Sequence, residues 1–190
     1  MYENISKYVI SFFSKHQVIN EDPLIYQYGF MITLSYFISS IAILVIGLLL
    51  NSLISAFIYI FLFDKLREYA GGYHARSYLE CSLLFITLFI VCVVASNIIP
   101  YLCLFIISSS LLLLSTNYIP TYHPNKKAND SLTYRTSKIA FNRFVIVMLS
   151  SILLYFINPS ISSQMNIVII EILILIRIQF YLNQKKEVNQ

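Results

Sequence analysis

The side chains best suited to covalent chemistry lie in one short segment, which reads DKLREYAGGYHARSYLEC over positions 64–81. It ends on a cysteine, Cys81, and carries a histidine, His74, seven residues before it. A thiol becomes a nucleophile when it ionises, and a neighbouring imidazole is the commonest base for that task. Spacing decides whether the two can meet. Were 74–81 one continuous helix, the rise of about 1.5 Å per residue would separate them by about 10.5 Å, too far for a hydrogen bond.

The sequence supplies a break. Gly71-Gly72 is a strong turn signal that ends the preceding helix. Ser77 and Glu80 stand in the Ser-x-x-Glu spacing of a capping box just before an apolar run. With Ser77 as N-cap, Cys81 falls in the first turn or so of the next helix and His74 in the loop before it. A helix N-terminus favours thiolate, and its amides are candidate oxyanion donors. A cysteine is also a small apolar group that packs without reacting. Spacing and depth alone therefore leave a structural Cys81 open.

The other reactive residues do not extend the constellation. Cys81, Cys92 and Cys103 recur every 11 residues, but Cys92 falls in mid-membrane and Cys103 beyond an outer turn, so no metal site is expected. His16 and His123 are alternative bases; His123 sits between Pro120 and Pro124, where a surface histidine is the simpler assignment. An odd cysteine count without a framework argues against structural disulfides. No cofactor motif is present.

The elements that position this segment are set by composition. The chain has 190 residues, of which 12% are charged and 58% hydrophobic, against about 25% charged in a soluble domain. A water-facing surface is excluded, and 15% aromatic content excludes disorder. No Asp, Glu, Lys or Arg occurs over 24–63, 81–125 or 144–170. A span needs about 20 apolar residues, so the first two stretches are each long enough for a helical hairpin. Gly47 with Asn51-Ser52, Asn97 with Pro100, and Asn158-Pro159 mark the breaks. An all-α, polytopic transmembrane bundle of about six spans is predicted, near 25–47, 50–68, 78–97, 101–118, 140–157 and 163–182. Five spans with one re-entrant segment is the alternative.

Twelve of the thirteen Lys and Arg residues fall in the N-terminus, 64–80, 119–143 and the C-terminus; the three opposite turns hold none. The positive-inside rule places both termini and both long loops in the cytoplasm. Arg177, the thirteenth, is expected to snorkel near the inner end of the last span. Residues 1–20 read as an amphipathic interfacial helix, with Ile5, Val9, Phe12 and Phe13 opposite Lys7 and Lys15. Asp22-Pro23 then opens span one. The whole chain, 1–190, forms one integral membrane domain, with a cytoplasmic catalytic loop at 64–81 and a basic cytoplasmic loop at 119–143. Residues 126–143 contribute Lys126, Lys127, Arg135, Lys138 and Arg143 against Asp130, which accounts for the net charge of +4. Anionic lipid explains that charge, and so does an acidic partner segment; no nucleic-acid module is present. Glu171 sits near the middle of span six, where an ionisable group is costly and either bonds another helix or serves function.

Arg67, then Gly71-Gly72-Tyr73-His74-Ala75, then Cys81, between spans of a 190-residue chain, resembles the accessory gene regulator B family of bacterial membrane endopeptidases that process quorum-sensing propeptides. The resemblance implies that Cys81 is the nucleophile and His74 its general base, with Arg67, Gly71 and Gly72 supporting the site. It implies a short amphipathic propeptide with an acidic C-terminal tail as substrate. The tail is removed and the signal region left as a cyclic thiolactone or lactone, without cofactor, in the bacterial cytoplasmic membrane. Homodimer formation is a further implication. Lys126, Lys127, Arg135 and Lys138 are the residues expected to receive the acidic tail. A peptide exporter or a non-catalytic membrane scaffold are the rival assignments.

Overall fold

The computed structural model describes residues 23–73, 75, 77–121 and 130–188. Six α-helices account for nearly all of them: α1 (Pro23–Leu49), α2 (Leu53–Ala70), α3 (Tyr78–Ile98), α4 (Tyr101–Ser115), α5 (Asp130–Tyr155) and α6 (Pro159–Val188). A single 3-10 turn, Thr116–Tyr118, extends α4. No strand occurs among the described residues. The chain is an all-helical bundle.

Local signals set most boundaries. Pro23 opens α1, where its missing N–H costs nothing. Asn51 takes a left-handed φ of 52° in the turn to α2. Ser77 caps α3, its side chain accepting a hydrogen bond from the Glu80 amide at 3.2 Å. Asn158 accepts from the Ile161 amide at 3.2 Å, and Pro159 becomes the first residue of α6. Two elements differ from expectation. Gly47 lies inside α1 and breaks nothing; a Cβ there would come 2.6 Å from the Ala56 Cβ, so the glycine lets α1 and α2 cross closely. Helix α5 starts at Asp130, so Arg135, Lys138 and Arg143 stand on a helix rather than in an irregular loop.

Five helical segments are long and apolar enough to cross a membrane: Gly29–Leu49, Tyr78–Ile98, Tyr101–Tyr118, Thr133–Tyr155 and Pro159–Lys185. Helix α2 falls short because Asp64, Lys65, Arg67 and Glu68 occupy its last turns. Its apolar part, 53–63, spans about 16 Å of a core about 30 Å thick. Even so, α2 returns the chain along the bundle. It starts beside Gly47 of α1, and α3 begins where Ser35 of α1 meets Ser82 at 3.0 Å and the Tyr78 carbonyl at 3.3 Å. The end of α2 and the start of α3 therefore lie at the side of the bundle away from the α1–α2 turn, with the start of α3 beside Ser35 of α1.

Helix α6 is the axis. It packs against α2, α3, α4 and α5, whereas α1 packs on α2 and α3. Buried apolar residues run along it from Met165 to Ile176. It faces protein over most of its surface and also carries buried Ser162, Ser163, Gln164, Asn166 and Glu171. Asn166 ties three helices: its Oδ1 accepts from Ser108 Oγ at 2.8 Å, and its Nδ2 donates to Ser151 Oγ at 3.1 Å. Gln164 donates to Ser96 Oγ at 3.4 Å on α3. In lipid, apolar faces do not tell one neighbour from another, so contacts of this kind set which helix packs where.

Candidate active site

Cys81 lies in the first turn of α3 and is half-buried, with its amide bonded to the Ser77 carbonyl at 3.0 Å. The Glu80 amide is taken by Ser77 Oγ. Two of the helix-start amides considered as oxyanion donors are thus committed to the cap. Cys92 is buried and donates to the Gln164 carbonyl at 3.7 Å, and Cys103 is exposed on α4. Neither shares the site with Cys81. Among the described residues no group of three His, Cys, Asp or Glu side chains could hold a metal ion.

Arg67 is the residue that organises this end of the bundle. From the last turn of α2 its Nη2 donates to the carbonyl of Tyr73. The same guanidinium is near enough to the Cys81 side chain to interact with it electrostatically, and its Cζ lies 5.6 Å from the centre of the Phe63 ring. One cation therefore joins the start of α3, the end of α2 and the loop residue that precedes His74. His74 itself lies outside the described residues, as do Lys126, Lys127, His16, His123 and the segment 1–20 expected to lie in the interface.

The glycines shape the loop for this contact. Gly71 takes φ 74° and donates to the Arg67 carbonyl at 3.0 Å, ending α2. It forms an isolated parallel bridge with Thr121, the last described residue after α4. Thr121 donates to the Ala70 carbonyl at 3.1 Å, and the Gly72 amide donates to the Thr121 carbonyl at 3.3 Å. A Cβ on Gly71 would sit 2.2 Å from that carbonyl oxygen. Gly72 (φ 121°) lies on α6, where a Cβ would be 3.6 Å from the Ile176 amide nitrogen. Tyr73 then donates its amide to the Leu175 carbonyl at 3.1 Å. The loop is thus seated on both the strand-like end of the α4 segment and the side of α6.

Charged residues around the site are mostly paired. Arg143 of α5 donates to Glu68 at 2.9 Å and to the Lys65 carbonyl at 2.6 Å, and covers the Tyr69 ring at 4.0 Å. That hydrogen bond, with Lys65 3.7 Å away, holds the Glu68 carboxyl below its ordinary pKa. Arg135 and Lys138 are exposed on α5. Arg177, expected to snorkel, instead donates to Ser115 Oγ at 3.1 Å and lies over the Tyr118 ring, where a cation suits the end of a helix.

A family model described as accessory gene regulator B matches residues 6–182. The chain belongs to the accessory gene regulator B family. Two curated relatives agree: AgrB-like protein 2 of Clostridium perfringens (strain 13 / Type A) and an AgrB-like protein of Clostridium perfringens (strain SM101 / Type A). Each is 39% identical over 85 residues, which is 44% of this chain and 40% of the relative's own length. No solved structure matches. Family membership and the long apolar helices fit a multi-pass membrane protein.

Sequence reasoning named Arg67 as a supporting residue but did not place it near Cys81. A signal was available, since a cation four residues before a helix-ending glycine has its side chain aimed back along the helix toward the apolar layer. The Gly71–Thr121 bridge and the Tyr73–Leu175 bond had no local signal.

Proposed function

We propose that the chain is a membrane cysteine endopeptidase of the bacterial cytoplasmic membrane that trims and cyclises a quorum-sensing propeptide, with both termini cytoplasmic. The observation that carries this is the Arg67 guanidinium, which bonds the carbonyl of the residue before His74 and is near enough to Cys81 to interact electrostatically with its side chain. The Arg67 side chain holds the loop from which the base must reach. His74 takes the thiol proton and returns it to the leaving amine. The Cys81 sulfur attacks the scissile carbonyl and forms a thioester with the signal region as the acidic tail departs. A thiol or hydroxyl of the signal region then attacks that thioester, closing a thiolactone or lactone and releasing Cys81. One acyl bond replaces another, so no cofactor or nucleotide is required. Water competes with ring closure, and a site at the lipid boundary limits it.

The acidic tail is assigned to the basic residues Lys126, Lys127, Arg135 and Lys138, of which Arg135 and Lys138 present exposed charge on α5.

The test is mass spectrometry of the purified protein in lipid with the propeptide encoded beside its gene, and Cys81→Ala in parallel. The expected product has lost its tail and one further water relative to the linear fragment, with an acyl adduct on wild type that is absent from the mutant. Tail loss without the further water would make the protein a hydrolase. An unchanged cognate peptide with no adduct would sink the catalytic assignment and leave transport or scaffolding.

A further inference from the structure

The buried acid Glu171 is not used by the mechanism above, yet it is 6% exposed in the axial helix. Its Oε2 accepts a hydrogen bond from Tyr59 of α2 at 3.2 Å. Its Oε1 is buried and has no hydrogen-bond partner among the described residues. A carboxyl kept at that depth is costly, and an apolar side chain would pack there without the cost.

What Tyr59 touches gives the carboxyl a purpose. The Tyr59 ring is 2% exposed and sits against Phe63 (5.5 Å between centres), Phe85 (5.5 Å) and Phe89 (5.3 Å). Phe63 and Phe85 meet at 4.8 Å. These rings form a platform at the junction of α2 and α3, and the Arg67 guanidinium rests over Phe63. Tyr59, Phe63 and Arg67 follow one another at four-residue intervals on one face of α2. The phenol of Tyr59 is the polar atom in this cluster, and Glu171 is its partner. One helical turn farther along α6, Leu175 receives the Tyr73 amide. Helix α6 thus reaches the candidate centre twice, by its backbone at Leu175 and by its side chain at Glu171.

We propose that Glu171 is a positioning residue: by accepting the Tyr59 hydroxyl, it pins the aromatic platform that holds Arg67 against Cys81. The assignment rests on Cys81 being the nucleophile and Arg67 its partner. Packing alone would also keep the rings together, so the hydrogen bond must be tested apart from packing. Tyr59→Phe removes the hydroxyl and keeps the ring. Glu171→Leu removes the acceptor, whereas Glu171→Gln keeps a carbonyl oxygen in its place.

The experiment measures the rate of Cys81 alkylation by iodoacetamide at neutral pH in micelles, resolved by peptide mass mapping and expressed per folded molecule. Arg67→Ala sets the scale. Tyr59→Phe and Glu171→Leu are expected to slow Cys81 by about 3- to 10-fold, the effect of one lost buried hydrogen bond, and Glu171→Gln to retain the wild-type rate. A merely structural role would lower the folded fraction and leave the rate per folded molecule unchanged. If Arg67→Ala slows Cys81 but Tyr59→Phe and Glu171→Leu do not, the positioning role is overturned while the catalytic assignment stands. Equal slowing by Glu171→Gln and Glu171→Leu would overturn the hydrogen bond as its means. If Arg67→Ala itself has no effect, the Arg67–Cys81 partnership fails and the inference falls with it.

Discussion

Replacing Gly71 by alanine should undock the candidate catalytic loop, and the magnitude follows from the geometry. Gly71 holds φ 74° with ψ −142°, a conformation close to glycine-only that costs an L-residue roughly 1–3 kcal/mol. The added Cβ would lie 2.2 Å from the Thr121 carbonyl oxygen and 3.1 Å from its carbon, both backbone atoms that cannot rotate away. The bridge must open. Its two hydrogen bonds, Thr121 N–H to Ala70 and Gly72 N–H to Thr121, contribute about 0.5–1.5 kcal/mol each. The docked state therefore loses about 2–6 kcal/mol, against a total stability of about 5–15 kcal/mol for a typical protein. The neighbouring glycines are internal controls. At Gly72 a Cβ meets nothing closer than 3.6 Å, so the cost is that of its positive φ alone, about 1–3 kcal/mol. Gly29 has open space around it within α1, and Gly29→Ala should stabilise by about 0.5–1 kcal/mol. The assay pairs detergent-titration unfolding with hydrogen exchange at the Gly72, Tyr73 and Thr121 amides. Gly71→Ala should lose protection at all three and lose peptide processing. The bridge would be refuted as the loop's anchor if Gly71→Ala kept those amides protected and unfolded within about 0.5 kcal/mol of wild type.

The Glu68–Arg143 contact predicts a pH dependence. Because the folded carboxyl titrates below its ordinary value of about 4.3, its stabilisation is present above that value and is lost as pH falls through the depressed one. Glu68→Gln should therefore be less stable than wild type at pH 7 and indistinguishable from it at strongly acidic pH, with the gap shrinking in high salt because the pair is exposed. A gap that widened on acidification would contradict the assignment. In the axial helix, Asn166→Leu removes bonds to Ser108 and Ser151 and should destabilise by about 1–2 kcal/mol in the same unfolding titration. Retained stability would show that the Asn166 bonds do not hold α6 in place.

What the sequence determined by itself is local. Charge-free stretches, Pro23, Ser77 and Asn158-Pro159 place the helices and their ends, because capping and hydropathy act within a few residues. They also place Cys81 in the first turn of α3 and Gly71 at the end of α2. The long N-terminal extension of α5 was not legible, since mixed polar residues such as those at 130–139 suit a solvated helix as well as a loop. The tertiary structure decided which helix is central and what the polar residues meet. Apolar helix faces in lipid carry no address for a particular neighbour, so nothing in the periodicity of 163–182 marks α6 as the axis. The contacts that define the candidate site lie across long sequence separations: Gly71 with Thr121, Tyr73 with Leu175, Glu68 with Arg143 and Tyr59 with Glu171. Even Arg67 and Tyr73, close in the chain, meet only because two glycines turn the backbone onto the end of the α4 segment and α6. Residue spacing sets which partners are affordable locally; the packed bundle selects which of them are real.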